Sequence, residues 1–519
     1  MSGLPPSFPF SLAGIELDRR QGLSRQLYQA LRARILDGRL SGGTRLPASR
    51  DLAESLGISR NSVMRAYDQL YAEGFTDGRV GDGTYVAQLS SQVLPNRKLS
   101  TKVSTGLSTG LPTTLSTKPE KSLLNLPEEV IHSSAIKKLE SHHLGAYLPS
   151  APRAFRVGVP AFDLFPFAVW GRLYAAFWRK PDLAMLGYGP AAGDTRLREL
   201  IAAYLRTSRG LQCRGEQIVI TSGAQQAISL CAQLLLEEGD GVAIENPGYR
   251  AAGHAFAIAG AKLHGIDVDE DGMCCEQLQR YACKLAYVTP SHQYPMGVVM
   301  SLARRLELLD WAQKTRGWIV EDDYDGEYRY SGAPLAPLAA LDRSGRVLYV
   351  GTFGKIAYPG LRLGYLVLPA GLVEPFSRRR AVDMRHSEVS TQAVMAEFIA
   401  AGHFQRHIRR MRRAALSRRN TLLRHWPEGI TGCAVMPKVV AGLHVAVRVD
   451  SLERETELIE KAKSVGVEIS PLSGYWLPES SEPVDNRAGL VLGFAAVPEA
   501  DIVDALERLK QVWRVKPDF

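Results

Sequence analysis

Cysteine is scarce in this sequence, and long apolar runs are missing from it. The 519 residues contain six cysteines, and no two of them form a CxxC pair. This spacing argues against a disulfide framework and against a zinc site, so no metal is expected. No apolar run approaches the ~20 residues that a membrane span needs, and the start, MSGLPPSFPFSLAG, lacks the parts of a secretion signal. We therefore expect a cytoplasmic protein without a membrane partner.

The remaining composition is that of a folded globular protein with more than one domain. Hydrophobic residues make up 45% and charged residues 23% of the chain, which excludes wholesale disorder and fibrous repeats. At about 100–200 residues per domain, 519 residues predict two or more domains. Lysine and arginine number 63 against 54 acidic residues, a surplus of +9 that permits nucleic-acid or phosphate partners without requiring them.

Composition divides the chain into three parts. Residues 1–88 hold compact helical patterns, whereas residues 89–150 include STKVSTGLSTGLPTTLSTK, which has too few large apolar residues to form a core. This middle part is predicted to be a flexible linker. In residues 151–519 helical patterns alternate with the β-branched runs QIVITS, GVAIEN, KLAYVTP, GWIVEDD and GRVLYVGTF. Such alternation predicts an α/β domain with a mostly parallel central sheet.

The first part is predicted to hold a helix-turn-helix. A leucine-rich stripe repeats every four residues from about 24 to 37 and predicts the first helix. Ser49, a candidate N-cap, begins SRDLAESLG, and Ser59 begins SRNSVMRAYDQLYAEG. Two helices joined by a short turn form a helix-turn-helix. Arg60 and Asn61, in the first turn of the second of these helices, are the candidates for reading base edges in a DNA groove.

The helices are followed by FTDGRVGDGTYV, which is predicted to form a β-hairpin. Its turns are expected at Asp77-Gly78 and at Gly81-Asp82-Gly83. Arg79 and Thr84 lie beside glycine backbone that can approach a phosphate chain closely, which makes them further candidates for DNA contact. The alternative for residues 1–88 is a helical module that binds another protein.

The stretch from Leu23 to Val86, with LPASRDLAESLGISRNSV and the ending GDGTYV, closely resembles the winged-helix DNA-binding domain of the GntR regulator family. The resemblance implies double-stranded DNA as a partner. Arg65 is then either a further DNA contact or part of a solvent-exposed helix face. The set that the resemblance implies consists of Arg50 on the DNA backbone, Ser59, Arg60 and Asn61 at the start of the recognition helix, and Gly81 and Gly83 at the wing tip.

The strongest chemical signal is VLYVGTFGKIAYPGLRLGYLVLP, in which an apolar strand leads to Lys355 in a glycine-bracketed loop. A buried lysine that is neither paired nor bonded is costly, so this lysine is a candidate for a Schiff base. Thr352 and Arg362 in the same stretch can bind a phosphate group. A phosphate beside an imine-forming lysine indicates pyridoxal 5′-phosphate (PLP) as the cofactor.

Three other segments supply groups that PLP needs. GWIVEDDYDGEYRY ends a strand at Asp322, whose carboxylate can hold the pyridine nitrogen, and Tyr324 follows as a partner for the phenolic oxygen. Tyr249 in VAIENPGYRAAG offers an aromatic face to the ring. QIVITSGAQQAISL leads from a strand into a helix N-terminus whose free N–H groups suit the phosphate. The residues at that helix start are Gly223, Ala224 and Gln225.

From about 155 to 510 the chain resembles the fold-type I aminotransferases, with YGPAAGDTRLRELIAAYL, TSGAQQA, ENPGY, TPSHQYPMG, EDDYD and GTFGK in the family's order. With the winged helix attached, the whole resembles a MocR-type regulator of the GntR family. The resemblance implies the same PLP-binding roles for the residues named above and a homodimer arranged head to tail. It adds Tyr188, which would reach the phosphate from the partner subunit.

The chain departs from the aminotransferase pattern at three positions. Gly354 precedes the lysine where the subgroup usually has serine, and Tyr294 stands where aminotransferases have an asparagine near the ring oxygen. Val491 in GLVLGFAAV stands where they have the arginine that binds the substrate carboxylate. Arg250 and Arg487 are the candidate replacements, with plain surface positions as the alternative. Loss of such a bidentate pair would cost roughly 2–5 kcal/mol of binding, which favours sensing over turnover.

Arginine is concentrated between residues 378 and 424, where twelve arginines face three acidic residues. They form either a track for DNA wrapped between two half-sites or the solvent-exposed face of a long helix, and the sequence leaves both open. The twelve are Arg378, Arg379, Arg380, Arg385, Arg406, Arg409, Arg410, Arg412, Arg413, Arg418, Arg419 and Arg424.

The sequence therefore favours a DNA-binding transcription regulator. Its aminotransferase-like domain would bind PLP through a Schiff base to Lys355 and sense an amine, an amino acid or PLP itself. A second hypothesis is an active PLP-dependent aminotransferase with an accessory DNA-binding module. A third is a DNA-binding protein in which the cofactor is only structural.

Overall fold

The computed structural model describes residues 15, 17–19, 22–79, 83–87, 139, 151–330, 336–478 and 482–513 of the chain. The chain divides into two compact units, Met1–Leu124 and Asn125–Phe519. The predicted linker, 89–150, lies outside the described residues apart from position 139.

The described part of the first unit holds three helices and a two-stranded hairpin: α1 (Leu23–Leu36), α2 (Ser49–Leu56), α3 (Arg60–Ala72), β1 (Thr76–Arg79) and β2 (Gly83–Val86). The helix-turn-helix that the sequence predicts is therefore present. All three helices contribute to its core. The buried apolar residues are Leu27, Leu31 and Ile35 on α1, Leu52 and Ala53 on α2, and Val63, Ala66, Tyr67 and Leu70 on α3.

Two local predictions in this unit are wrong. The N-cap of α2 is Ala48, and Ser49 is the first residue inside the helix. The Ser49 hydroxyl instead accepts a hydrogen bond from Arg60 Nε at 3.3 Å, so it joins the starts of two helices.

The second wrong prediction is a turn at Asp77-Gly78. Both residues lie within β1, where they pair with Tyr85 and Thr84 of β2. Cross-strand pairing over the full length of β1 outweighs the local turn preference of an Asp-Gly pair.

The second unit alternates strands with helices. Its strands are β3 (Ile218–Thr221), β4 (Gly241–Asn246), β5 (Lys262–Asp269), β6 (Gly272–Met273), β7 (Cys283–Val288), β8 (Trp318–Asp322), β9 (Val347–Thr352), β10 (Gly364–Val367), β11 (His444–Arg448), β12 (Ser470–Pro471) and β13 (Gly489–Gly493). The five runs that predict strands correspond to β3, β4, β7, β8 and β9.

The helices of this unit are α4 (Phe167–Arg179), α5 (Thr195–Arg209), α6 (Ala224–Leu235), α7 (Arg250–Ile258), α8 (Leu302–Thr315), α9 (Leu338–Leu341), α10 (Ala370–Met384), α11 (Val389–Ala400), α12 (His403–His425), α13 (Leu452–Ser464) and α14 (Glu499–Val512). Short 3-10 helices span Phe162–Leu164, Leu183–Leu186, Gly215–Gln217, Cys275–Arg280, Pro359–Leu361, Ser473–Tyr475 and Asp485–Arg487.

The main sheet has eight strands in the order β3-β10-β9-β8-β7-β4-β5-β6. Strands β9, β8, β7, β4 and β5 pair in parallel, whereas β10 runs antiparallel to both of its neighbours. The predicted mostly parallel sheet is therefore confirmed. A second, antiparallel sheet has the order β11-β13-β12.

Both faces of the main sheet are covered by helices. Ile218 and Ile220 of β3 pack in a cluster with residues of α4, α5 and α11. Val219, between them, packs in another cluster with residues of α6 and α7. Because successive side chains of a strand point to opposite faces, β3 is buried on both sides, as parallel α/β sheets require.

The six cysteines are all free thiols, and they take part in the packing rather than in cross-links. Five are buried and Cys433 is half-buried. Burial raises the pKa of each thiol, to about 11 for Cys213 and to about 12 for Cys275. Among the helices of the described residues, none has the length and apolar character to cross a membrane.

Candidate cofactor cavity and DNA-binding surface

A cavity of about 180 Å³ lies in the second unit, at the carboxyl ends of the parallel strands. Strands β7, β8 and β9 contribute Tyr287, Asp322 and Thr352 to its wall, in keeping with the general position of ligand sites in α/β sheets. Nine of the ten residues that the sequence assigns to the cofactor line it: Lys355, Asp322, Tyr324, Tyr249, Gly223, Ala224, Gln225, Thr352 and Arg362.

Lys355 is held at the cavity by a partner that is distant in sequence. Its Nζ donates a hydrogen bond to the Gly158 carbonyl oxygen at 2.8 Å. Gly158 has a φ of +79°, and a Cβ there would lie 3.0 Å from Nζ, so the close approach requires glycine. Burial lowers the pKa of Lys355, although Asp325 and Asp322 oppose this shift. A lowered pKa increases the fraction of neutral amine, which is the nucleophilic form.

Asp322 is the last residue of β8, and its two carboxylate oxygens differ in their hydrogen bonding. Tyr287 donates its hydroxyl proton to Oδ2 at 2.8 Å. Oδ1 is buried and has no hydrogen-bond partner among the described residues. Burial raises the pKa of Asp322 to about 7. A buried acceptor that lacks a donor fits a ligand that brings an N–H group, such as a protonated pyridine nitrogen.

The raised pKa of Asp322 predicts how the stability of the cofactor-free protein depends on pH. The carboxyl has an ordinary pKa of 3.8 and a folded-state pKa of about 7, so the folded state keeps the proton longer. This group therefore destabilises the fold as the pH rises from about 4 to about 7, by on the order of 1.4 kcal/mol per pH unit. Asp322→Asn has no such proton to lose and is expected to gain stability relative to wild type over that interval.

Urea unfolding of the cofactor-free proteins at several pH values measures this difference. Glu460→Gln, at an exposed position of α13, is the control and should follow the wild type. Parallel stability curves for wild type and Asp322→Asn would contradict the assignment.

Tyr324 belongs to a buried network that the sequence did not predict. Its hydroxyl donates to the His292 carbonyl oxygen at 2.9 Å and lies 3.0 Å from His292 Nδ1. Asp325 Oδ2 lies 3.0 Å from the same ring nitrogen. The network fixes the position of the phenol at the cavity wall.

The other end of the cavity is built for an anion. Helix α6 begins at Ala224, and the first N–H groups of a helix have no partner within it. Gly223 has a φ of +98°, a conformation that favours glycine. The Arg362 guanidinium lies close to this residue, at 3.5 Å from the position that a Cβ would take. The Thr352 hydroxyl oxygen accepts the Gly354 N–H at 3.1 Å and keeps its own proton to donate. These groups fit a phosphate.

Tyr188 lies apart from the cavity of its own chain. It is 88% exposed and does not line the cavity. Its ring packs edge-on against His386, with the centroids 6.0 Å apart. The assignment of Tyr188 to a partner subunit stays a prediction.

The candidate replacements for a carboxylate-binding arginine also lie elsewhere. Arg250 donates to the Gly474 carbonyl oxygen at 3.1 Å, and Arg487 donates to the Glu482 carbonyl oxygen at 2.7 Å. Neither lines the cavity.

In the first unit the predicted recognition residues are exposed at the start of α3. The Ser59 hydroxyl caps the helix by accepting the Ser62 N–H at 3.1 Å. Arg60 contacts Ser49 at the start of α2. The exposed members of the predicted set around these helix starts are Arg50, Ser59, Arg60, Asn61 and Arg65.

A basic residue from outside the hairpin pairs with it, and the sequence motifs did not predict this contact. Arg45 pairs with Tyr85 through an isolated bridge, and its guanidinium lies 6.0 Å from the Tyr85 ring centroid. Thr84 and Gly83 lie on the same strand, β2. Gly81 and the side chain of Arg79 lie outside the described residues.

The arginine-rich stretch is divided between helices α10 and α12, so it is not one long helix. Arg380 and Arg418 are buried, which excludes both from a DNA track and from a solvent-exposed face. Arg380 donates to Ser387 and to the Ala191 carbonyl, and Arg418 pairs with Asp163 at 2.6 Å. Five exposed arginines of α12 form what we term the arginine surface: Arg406, Arg409, Arg410, Arg412 and Arg413.

Comparison with known proteins places both units in families. Residues 23–86 match the family "Bacterial regulatory proteins, gntR family". Residues 183–481 match "Aminotransferase class I and II", a PLP-dependent family. The chain is 34% identical over 499 residues, 96% of its own length and 95% of the relative's, to the "probable rhizopine catabolism regulatory protein MocR" of Rhizobium meliloti. It belongs to the MocR-type regulators of the GntR family.

This MocR-type chain is also 29% identical to the pyridoxine biosynthesis transcriptional regulator PdxR of Corynebacterium glutamicum, over 93% of its own length and 95% of that relative. Among solved structures, it resembles a Pyrococcus horikoshii kynurenine aminotransferase in complex with PMP. The identity is 30%, the TM-score is 0.62, and the match covers 70% of this chain and 91% of that one. An archaeal alanine:glyoxylate aminotransferase gives 27% identity and a TM-score of 0.64, with 74% of this MocR-type chain and 96% of that chain covered.

Proposed function

We propose that this regulator binds PLP in the cavity through a Schiff base to Lys355 and thereby senses an amine, an amino acid or PLP itself. One observation carries the proposal. A half-buried lysine, a buried carboxylate oxygen that has no donor among the described residues and a helix N-terminus beside an arginine surround one cavity, in a chain that also has a winged helix-turn-helix. An aldehyde, a ring nitrogen and a phosphate match these three groups.

Different residues of the chain would bind different parts of the cofactor. When bound, PLP supplies an electron sink for bonds next to an amine nitrogen. Asp322 would accept the ring N–H at Oδ1, Tyr324 would lie at the phenolic oxygen, and Tyr249 would cover the ring. The phosphate ligands would be Gly223, Ala224, Gln225, Thr352 and Arg362, with Tyr188 of the partner subunit in a head-to-tail homodimer.

The competing function is that of a working aminotransferase. Val491 is fully buried in an apolar cluster, so a substrate carboxylate finds no arginine on β13. This observation favours sensing. Sustained production of keto acids from amino acids by the purified protein would favour the enzyme instead.

A footprint of the promoter beside the protein's own gene tests the proposal. We expect protection of a repeated half-site, changed in extent or affinity by PLP or by a member of an amine panel. An absence of protection under every condition would reject the proposed function.

The arginine surface is proposed to contact the DNA backbone. Arg409, Arg410 and Arg413 line a hollow of about 420 Å³, and no acidic partner is found for them or for Arg412 among the described residues. Replacing these four arginines with alanine is expected to weaken binding of long DNA. The slope of log K against log salt concentration should become shallower by about 0.9 for each phosphate that the variant no longer neutralises.

The control is the double variant of Arg378 and Arg379 to alanine, because each of these arginines has an acidic partner on its own helix, Glu374 and Asp383. The salt dependence of that variant should match wild type. An unchanged slope in the fourfold variant would mean that the arginine surface is exposed to solvent and does not contact DNA phosphates.

A further inference from the structure

The two ends of the cavity differ in charge. Lys355 and Arg362 are the cationic side chains among the described residues that line it, and Arg362 lies at the anion-binding end. Four further lining residues form what we term the distal wall: Gly158, which accepts the hydrogen bond of Lys355, Tyr294 and His444, whose rings are in contact, and Leu443. Burial holds the pKa of His444 well below its usual value, so the ring is neutral. The distal wall therefore carries no positive charge.

The layer behind the distal wall is apolar. Tyr294 places its hydroxyl 3.1 Å from the hydroxyl of Tyr475. Tyr475 packs against a cluster of three buried residues: Ala446, Leu472 and Val491. Ala446 and Val491 are cross-strand partners in the second sheet. A ligand carboxylate directed to this side would lose water without gaining a charged partner.

The charges nearest to Lys355 are acidic. Asp322 and Asp325 both favour the protonated form of the lysine. Glu245 is buried as well, and one of its oxygens, Oε1, lacks a hydrogen-bond partner among the described residues. Its other oxygen accepts the hydroxyl of Thr289, a cavity residue, at 2.6 Å. These carboxyl groups favour an ammonium over a second carboxylate, although burial still lowers the pKa of Lys355 overall.

The distal wall also offers aromatic contact. The ring of Tyr294 meets Tyr249, Tyr324 and His444 edge-on, with centroid separations of 5.7, 5.8 and 5.1 Å. Rings arranged in this way bury a flat apolar ligand favourably, and tyrosine faces also attract cations.

Resting on the proposed function, we infer that the effector of this regulator is a primary amine without a carboxylate, whose aromatic or apolar body packs against the distal wall. Ordinary α-amino acids are thus excluded by the charge of the cavity and not by the size of the cavity. An unpaired carboxylate should weaken binding by about 10- to 100-fold relative to the matching amine.

Calorimetric titration of the PLP-loaded full-length chain with three matched probes tests this inference. The probes are 2-phenylethylamine, L-phenylalanine, which adds a carboxylate, and 3-phenylpropanoate, which has the carboxylate and no amine. We expect the amine to bind at least about 10-fold more tightly than the amino acid, and the acid to bind not at all. Equal or tighter binding of L-phenylalanine would overturn the inference, and so would failure of all three probes to bind.

Those outcomes are distinct from a failure of the proposed function, which would appear earlier as a chain that takes up no PLP or protects no DNA. Val491→Arg adds a positive charge behind the distal wall, with Val491→Met as an uncharged control of similar bulk. In the folded variant, the arginine should shift the preference toward L-phenylalanine by about 10-fold, and the methionine should not. No shift would overturn the role of Val491, and if Val491→Arg does not fold, the probe series on the wild type decides.

Discussion

Replacing Lys355 with alanine is expected to abolish covalent capture of PLP. The wild type, incubated with PLP and treated with borohydride, should carry the reduced cofactor on Lys355, because hydride adds to the imine carbon and leaves a stable secondary amine. Lys355→Ala has no amine at this position and should emerge from gel filtration colourless. Absorption spectroscopy and peptide mass mapping measure both results.

The matched control is Lys284→Ala, which removes an exposed lysine paired with Asp240 at 3.2 Å. It should label as the wild type does. Lys355→Ala also leaves the Gly158 carbonyl without its donor, so thermal denaturation should accompany the comparison. If Lys355→Ala still bound DNA and responded to PLP and amines as the wild type does, the cofactor would have a structural role only.

The double substitution of Arg60 and Asn61 by alanine is expected to remove most of the sequence specificity of DNA binding. Both residues are exposed in the first turn of α3, where a recognition helix presents side chains to base edges. Each bidentate pair with a base is worth about 1–3 kcal/mol, so the loss of two pairs should weaken specific binding at least about 30-fold. Non-specific binding depends on phosphate contacts and should change by a few-fold at most.

Fluorescence anisotropy with operator and scrambled duplexes measures this ratio. Tyr71→Ala lies in the last turn of the same helix at 61% exposure and serves as the control. An equal loss of affinity for both duplexes would mean that the two residues contact the backbone alone.

The composition of the cavity could be predicted largely from the ends of strands. Asp322 and Lys355 follow apolar runs whose parallel pairing brings their carboxyl ends to one edge, so short motifs far apart in sequence converge. Polar residues and glycines directly after such apolar runs are a local sequence signal for residues that line a ligand cavity.

The partners of those residues could not be predicted in this way. Gly158 lies 197 positions from Lys355, and no local pattern marks its carbonyl oxygen as the acceptor. Tyr287 belongs to a predicted strand, but its hydrogen bond to Asp322 depends on the register of β7 against β8. Contacts of this kind are set by packing, which the sequence encodes only through the whole fold.

The two wrong local predictions in the winged helix have the same origin. Ser49 has the properties of an N-cap, yet the helix begins one residue earlier and its hydroxyl is used by Arg60. Asp77-Gly78 has the properties of a turn, yet both residues pair with β2. In each case a contact with a neighbouring element decides the outcome.

The buried thiols make the chain well suited to site-directed labelling. A maleimide reacts with the thiolate, and the raised pKa values of the native cysteines leave almost none of it at neutral pH. A cysteine introduced at an exposed position of α3 would therefore react far faster than the six native ones. Fluorophores could be attached there, and the distance between α3 and a second labelled point could be followed without first removing any natural cysteine.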